Sequence, residues 1–161
     1  MESTDKATRK HLVDFITGGN AHATLNDALK NLPPSLRGAV PVGLPYSIWQ
    51  LAEHIRIVIW DILEFTKDQT HKSPKWPDEY WPKQAEPKSS EEWDKTIAQI
   101  KKDTAEFLDI LNDPNSNLYE PLPKGDGQTL LREAILIGDH NAYHTAEIIV
   151  IRRLLGAWKK A

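Results

Sequence analysis

Three of the six histidines occupy positions that the sequence pattern assigns to the core of a helical protein. Near the C-terminal end, His140 and His144 interrupt a series of apolar residues spaced by three and four. His54 interrupts a similar series earlier in the chain. Side chains four apart on a helix lie one above the other, about 6 Å along the axis, so the first two rings can face one point. His54 can reach that point from a facing helix.

A divalent metal ion would give all three buried imidazoles a partner. An unpaired ring group in a core costs about 1–3 kcal/mol, which is large against a total stability of about 5–15 kcal/mol. Three neutral imidazoles with one open position are the ligand set of a catalytic zinc-type site, but zinc, nickel, copper and iron all suit imidazole. An alternative needs no metal, because each ring can instead hydrogen-bond to a carbonyl or carboxylate.

Two familiar metal motifs are excluded by the neighbouring residues. Asn141 follows His140, where the His-Glu-x-x-His motif of zinc proteases has a glutamate. A di-iron bundle needs Glu-x-x-His on two helices, and the residues three before the histidines are Leu51, Ile137 and Asn141. Neither of those chemistries is therefore expected.

Helices are the elements that must position these side chains. We predict an all-α fold: a four-helix bundle with one long crossover connection and a short extra helix after the first, forming a single domain over residues 1–161. Ser47 with Gln50, and Ser89 with Glu92, match the capping-box pattern. The predicted helices begin after Ser3 or Thr4 and stop at Gly18-Gly19; run from about Leu25 (capped by Thr24) to Leu32 before Pro33-Pro34; from Ser47 to about Phe65; from Ser89 to Asn112; and from after Gly125-Asp126-Gly127 through Leu155, with Gly156 just past the end. No segment predicts a strand.

The connection over residues 66–88 combines four prolines with Trp76, Tyr80 and Trp81. Connections of this length without secondary structure are uncommon and are often functional. Two interpretations stay open. The aromatic residues either cover one flank of the bundle or form a wall of a ligand pocket.

The composition excludes several classes of protein. The chain has 20 Lys and Arg, 23 Asp and Glu, and no Cys, with a formal net charge of -3. The absence of cysteine rules out disulfides, Cys-ligated metals and a thiol nucleophile, so any thiol must come from a cosubstrate. The even charge balance argues against a nucleic-acid partner. No apolar stretch approaches the roughly 20 residues of a membrane span and the first residues are polar, so we expect a cytoplasmic protein without a membrane partner.

Two motifs, DHNAYHT at 139–145 and WQLAEH at 49–54, occur together with GGNAH at 18–22, LP at 44–45, GDGQTLLRE at 125–133 and RRLLG at 152–156. In these motifs the chain resembles the DinB/YfiT-like superfamily of four-helix bundle proteins. The resemblance covers nearly the whole chain. It implies that His54, His140 and His144 bind a divalent metal such as zinc or nickel, and that the protein forms homodimers. It also implies thiol-dependent S-transferase or isomerase activity, or hydrolysis, although many members have no known reaction.

Two further residues are candidates for the site. Many relatives read Thr-Gly-Gln after the second histidine of the last helix, whereas this chain has Thr145-Ala146-Glu147. Glu147, three residues after His144, either reaches the site as an orienting group or base, or pairs with Arg152 or Arg153 on the surface. His22, in the turn after the double glycine, is either a fourth ligand or substrate contact, or an exposed loop residue.

Other residues near the motifs have weaker claims. Glu53 and Asp139 precede ligand candidates and point about 100° away, so they suit neighbouring contacts better than ligation. His11 and His71 lie in polar surroundings and are predicted to be surface residues. Trp49, Trp60 and Tyr143 are expected to pack, or else to line an aromatic wall.

Three functional hypotheses follow. The first is a metal-dependent enzyme acting on a small molecule: with a low-molecular-weight thiol as cosubstrate the site would conjugate or isomerise, and with water it would hydrolyse. The second is a non-catalytic metal-binding or stress-related protein in which the metal stabilises the fold. The third is a metal-free bundle with hydrogen-bonded histidines.

Overall fold

The all-helical fold predicted from the sequence is confirmed by a computed structural model, which describes residues 4–18, 21–123 and 125–158. Within those ranges there is no strand, and one isolated bridge joins Pro121 to Thr129. The predicted helix limits at Ser3 and Gly19 lie outside the described residues. The helices are α1 (Thr4–Thr17), α2 (Leu25–Leu29), a 3₁₀ turn (Pro34–Leu36), α3 (Ile48–Lys67), α4 (Ser90–Asn112) and α5 (Leu130–Leu154).

One of the two predicted capping boxes is complete and the other is not. The Ser47 hydroxyl accepts from the Gln50 amide at 3.1 Å, and the Gln50 side chain accepts from the Ser47 amide at 3.1 Å. At the start of α4, Ser89 accepts from the Glu92 amide. The Glu92 carboxylate turns to the Lys88 amide instead. The predicted reciprocal bond to Ser89 is therefore wrong, because the preceding residue offers a competing donor.

The short helix is shorter than predicted. Thr24 caps it as expected, in a reciprocal box with Asp27. It ends at Leu29 and not at Leu32, and Asn31 has a φ of 54°, a left-handed conformation that ends helices. Pro34 then opens the 3₁₀ turn, since a proline at the first helical position loses no hydrogen bond.

The direction of the helices explains the long crossover. Glu53 accepts from Thr96, and further along both helices Lys67 pairs with Glu106 at 2.6 Å. α3 and α4 therefore run parallel to each other. Neighbouring helices that run parallel need a connection that returns over their full length. The segment 68–89 makes this return, and it passes over the end of α3 that carries His54.

The core contains most of the residues that the helical spacing selects. His54 and His144 are 2% and 6% exposed, whereas His140 is only partly buried. The side chains at the centre of the bundle that are nearly inaccessible include Leu51, Ile55, Ile59, Phe107, Leu111, Ile137, Ile148 and Ile151. Two imidazoles are thus buried among aliphatic groups, where each polar nitrogen needs a partner.

No helix in the described part of the chain combines the length and the apolar character that crossing a membrane requires.

Candidate metal centre

The rings of His54, His140 and His144 meet between α3 and α5. Their centroids are 4.9 Å apart for the first and second, 4.8 Å for the first and third, and 4.4 Å for the second and third. One ring nitrogen from each residue lies within 4.8 Å of the others. The structure therefore brings together the three rings that the spacing predicts to converge, and they could hold a metal ion. Their binding of one stays a prediction.

Two of these rings are fixed by hydrogen bonds on the side away from the group. His54 Nδ1 lies 2.9 Å from the carbonyl oxygen of Tyr80, and His144 Nδ1 lies 2.6 Å from Glu147 Oε2. A carbonyl and a carboxylate only accept, so both Nδ1 atoms carry the proton. Each ring then presents an unprotonated Nε2 to the centre, as in metal sites whose ligands are oriented by outer acceptors.

The third ring has an unsatisfied nitrogen. His140 Nε2 lies 3.0 Å from the unprotonated Nε2 of His54, so without metal it donates a proton there. His140 Nδ1 is buried and has no hydrogen-bond partner among the described residues. The amide oxygen of the adjacent Asn141 is buried and unpaired as well. Moving the proton from Nε2 to Nδ1 would free the third nitrogen for a metal. The residues therefore fit a metal ion.

Burial keeps the three imidazoles neutral. It lowers the pKa of His54 from 6.5 to about 4. It lowers that of His140 to about 3, where the neighbouring imidazoles add to the effect. Burial also lowers the pKa of His144, and the Glu147 carboxylate opposes this shift. Neutral imidazole is the form that binds metals, so the group is ready for one at neutral pH without first losing protons.

The crossover segment forms one side of the centre. The Trp81 ring stacks on His54 with centroids 3.8 Å apart and planes 7° apart, and Tyr46 stacks on Trp81 in turn. The Tyr80 hydroxyl donates to Asp61 on α3 at 2.6 Å, which places the Tyr80 carbonyl over His54. Burial and this bond raise the pKa of Tyr80 above its ordinary range, so the hydroxyl stays a donor. These contacts place the segment against a site residue, but Trp76, Tyr80 and Trp81 do not line either cavity described below, so its role as a pocket wall stays a prediction.

One histidine prediction is wrong. His71 was expected on the surface, but its side chain is only 9% exposed and its Nε2 bonds to Asp61 at 2.7 Å. Asp61 is buried on α3 and needs partners, which both His71 and Tyr80 supply. An acidic residue within the apolar run of α3 was the one sequence signal that pointed to such an anchor. His11 is exposed, as predicted.

The other candidate residues separate into those that touch the centre and those that do not. Glu147 reaches His144, while Arg152 binds the carbonyl oxygens of Ala28 and Lys30. His22 is exposed, lies 2.9 Å from the Ala23 carbonyl and is not part of the group.

The remaining candidates have contacts outside the histidine group. Glu53 pairs with Arg56 and Thr96, and Asp139 is exposed. Trp49 packs against Trp93 with centroids 6.3 Å apart, and Trp60 lies edge-on to His71.

A small cavity of about 260 Å³ lies beside the centre. Tyr46, Tyr143, Glu147 and Val150 are among its lining residues, and the first three contact the histidines or the aromatic stack on them. Most of the other lining residues are aliphatic. None of the three site histidines lines this cavity, so it adjoins the centre without containing it.

The fold and site together describe a helical bundle with a three-histidine centre between two of its helices. The family model described as the DinB superfamily matches residues 20–148 of the 161. The chain therefore belongs to the DinB superfamily, as its motifs predict. Comparison with curated proteins gives no match, and neither does comparison with solved structures.

Proposed function

We propose that the protein is a metal-dependent enzyme that holds a divalent ion, zinc or nickel, on the Nε2 atoms of His54, His140 and His144. The observation that carries the proposal is the state of the three rings: two are oriented by outer acceptors, and the third has a buried, unpaired Nδ1. Three protein ligands leave a position for a further ligand. A metal there would supply Lewis-acid chemistry, polarising an electrophile and lowering the pKa of a water or thiol.

The protein's own residues would bind and orient. The Tyr80 carbonyl and Glu147 hold two ligands in one tautomer, and Trp81 keeps water from one face of His54. The small cavity next to Glu147 and Tyr143 suits an apolar part of a small-molecule substrate. Glu147 is committed to His144, so it is an orienting group and not a free base.

The reaction class that we propose is transfer or isomerisation with a low-molecular-weight thiol, or hydrolysis. The chain contains no cysteine, so a thiol would come from the cosubstrate. A homodimer and a cytoplasmic location are part of the proposal. Exposed apolar side chains on α5 support self-association: Ile135, Tyr143, Val150 and Leu154.

The alternative is a metal that only stabilises the fold. The rings of His54 and His144 are already held by bonds to Tyr80 and Glu147, so the chain does not need an ion to assemble them. We therefore expect the chelated protein to keep its helix content by circular dichroism. Unfolding on chelation would instead assign the metal a structural role.

Metal analysis of the purified protein tests the proposal. We expect one equivalent of divalent metal in the wild type and in His11→Ala, whose histidine is exposed, and none in His140→Ala, with helix content unchanged in both. Stoichiometric metal in His140→Ala, or none in the wild type after metal reconstitution, would contradict it. Assays of the loaded protein with and without added thiol then separate transfer from hydrolysis.

A further inference from the structure

A larger cavity of about 650 Å³ lies on the other side of α5. It is lined by residues of α1, α2, α4 and α5 and is open to solvent, and its α5 wall includes Gly138, Asn141 and Thr145. Asn141 and Thr145 each follow a site histidine by one residue, so they point about 100° away from the metal centre. None of the three histidines lines this cavity. Its function is therefore a separate question from that of the metal centre.

Small residues on the facing helices leave this space open. Ala142 on α5 and Ala98 and Ala105 on α4 line the cavity with small side chains. The volume of about 650 Å³ lies within the roughly 300–1,000 Å³ of pockets that hold small organic ligands.

The lining combines an apolar interior with a cationic excess. Apolar side chains from α1, α2 and α4 contribute most of it: Phe15, Ile16, Leu25, Leu29, Trp93, Ile97, Ile100 and Leu108. The ionisable residues of the lining are His22, Lys30, Lys101 and Asp94. Lys30 lies near Asp27, whose pKa it helps to lower. Lys101 is exposed and makes no ion pair with any residue that the structure describes, so its ammonium group is available to an anion.

We propose that this cavity binds an amphipathic carboxylate, with its apolar body between α1 and α4 and its carboxylate at Lys101. The apolar lining favours the hydrocarbon part. Charge complementarity selects the acid over a neutral molecule of the same length.

Isothermal titration with decanoate and with decan-1-ol tests the charge selection. We expect decanoate to bind more tightly than the alcohol. Lys101→Gln should weaken decanoate about two- to fivefold, the effect of losing one exposed ion pair, and leave the alcohol unchanged. Lys102→Gln is the matched control, because Lys102 is exposed on the same helix but does not line the cavity. Equal affinity for acid and alcohol, or equal effects of the two substitutions, would overturn the proposal.

Filling the cavity tests its location. Ala105 lies on the exposed side of α4 and lines the cavity, whereas Asp109, one turn later, does not. Ala105→Trp should abolish binding of both ligands, and Asp109→Trp should not. His140→Ala should bind decanoate like the wild type, which keeps this site distinct from the metal centre. Unchanged binding in Ala105→Trp refutes the assignment. A second result would also refute it: the wild type fails to bind decanoate, and sedimentation shows that the wild type is a dimer which Ala105→Trp dissociates. The cavity would then be an interface between two copies of the chain.

Discussion

The contact between Glu147 and His144 gives a prediction whose size follows from the structure. Glu147 Oε2 lies 2.6 Å from His144 Nδ1, and the two side chains are 33% and 8% exposed. Glu147→Gln keeps an acceptor of the same shape and removes the charge. Glu147→Ala removes the acceptor and leaves a buried Nδ1–H without a partner. The two substitutions therefore separate the charge from the hydrogen bond.

The expected loss is in metal affinity. Removing an outer partner of a metal-binding histidine typically costs about 10–100-fold, or about 1.4–2.7 kcal/mol. A charge-assisted bond is about twice as strong as a neutral one, but a carboxylate that is one-third exposed is partly screened by water. We therefore expect about tenfold for Glu147→Gln and nearer 100-fold for Glu147→Ala.

Competition with a chromophoric zinc chelator at pH 7 measures these affinities. Glu53→Gln is the control, because Glu53 is adjacent in sequence to His54 but binds Arg56 and Thr96 and not a ring of the centre. It should leave the zinc affinity unchanged. Wild-type affinity in Glu147→Ala, or an equal loss in the Glu53 control, would refute the argument that outer acceptors prepare the ligands.

Three other perturbations have defined outcomes. Burial lowers the pKa values of His54 and His140 to about 4 and 3, so between these values and 6.5 the unfolded chain binds more protons than the folded one. The metal-free protein should therefore lose stability as the pH falls from about 6.5 toward 4, by up to about 1.4 kcal/mol per pH unit for each histidine, measured by urea unfolding. A flat profile would contradict neutral, buried rings. Tyr80→Phe removes the hydroxyl that bonds to Asp61 and should weaken zinc binding about tenfold in the chelator assay. Unchanged zinc affinity would show that this bond does not position the Tyr80 carbonyl over His54. Gly138→Ala places a methyl group against the Phe15 ring. It should lower the free energy of unfolding by about 1 kcal/mol, since a clash of about 1–3 kcal/mol is offset by about 1 kcal/mol of helix propensity. A variant that is more stable than the wild type in urea would show that the ring moves freely.

The bundle was predictable because its signals are local. Thr24 and Ser47 mark helix starts through side-chain oxygens that accept from backbone amides, and Gly156 marks the end of α5 through its positive φ. The apolar spacing identifies the inner faces. The errors occurred where a local pattern had a nearby competitor. The Glu92 carboxylate bonds to the Lys88 amide, and Asn31 adopts a left-handed conformation that ends α2 early.

The metal-ligand candidates and their outer partners differ in how far sequence can find them. His140, His144 and Glu147 lie on one helix, so their separations fix their relative positions before any tertiary structure is known. His54 follows from the inner face of α3. The acceptor for His54, however, is a backbone carbonyl, which every residue type carries, so no side-chain pattern marks Tyr80 as its source. Its position depends on the parallel arrangement of α3 and α4, which forces the crossover over the site, and on Asp61, which fixes the crossover there through Tyr80 and His71. Asp61 therefore controls the orientation of His54 without touching it, because it determines where the acceptor lies.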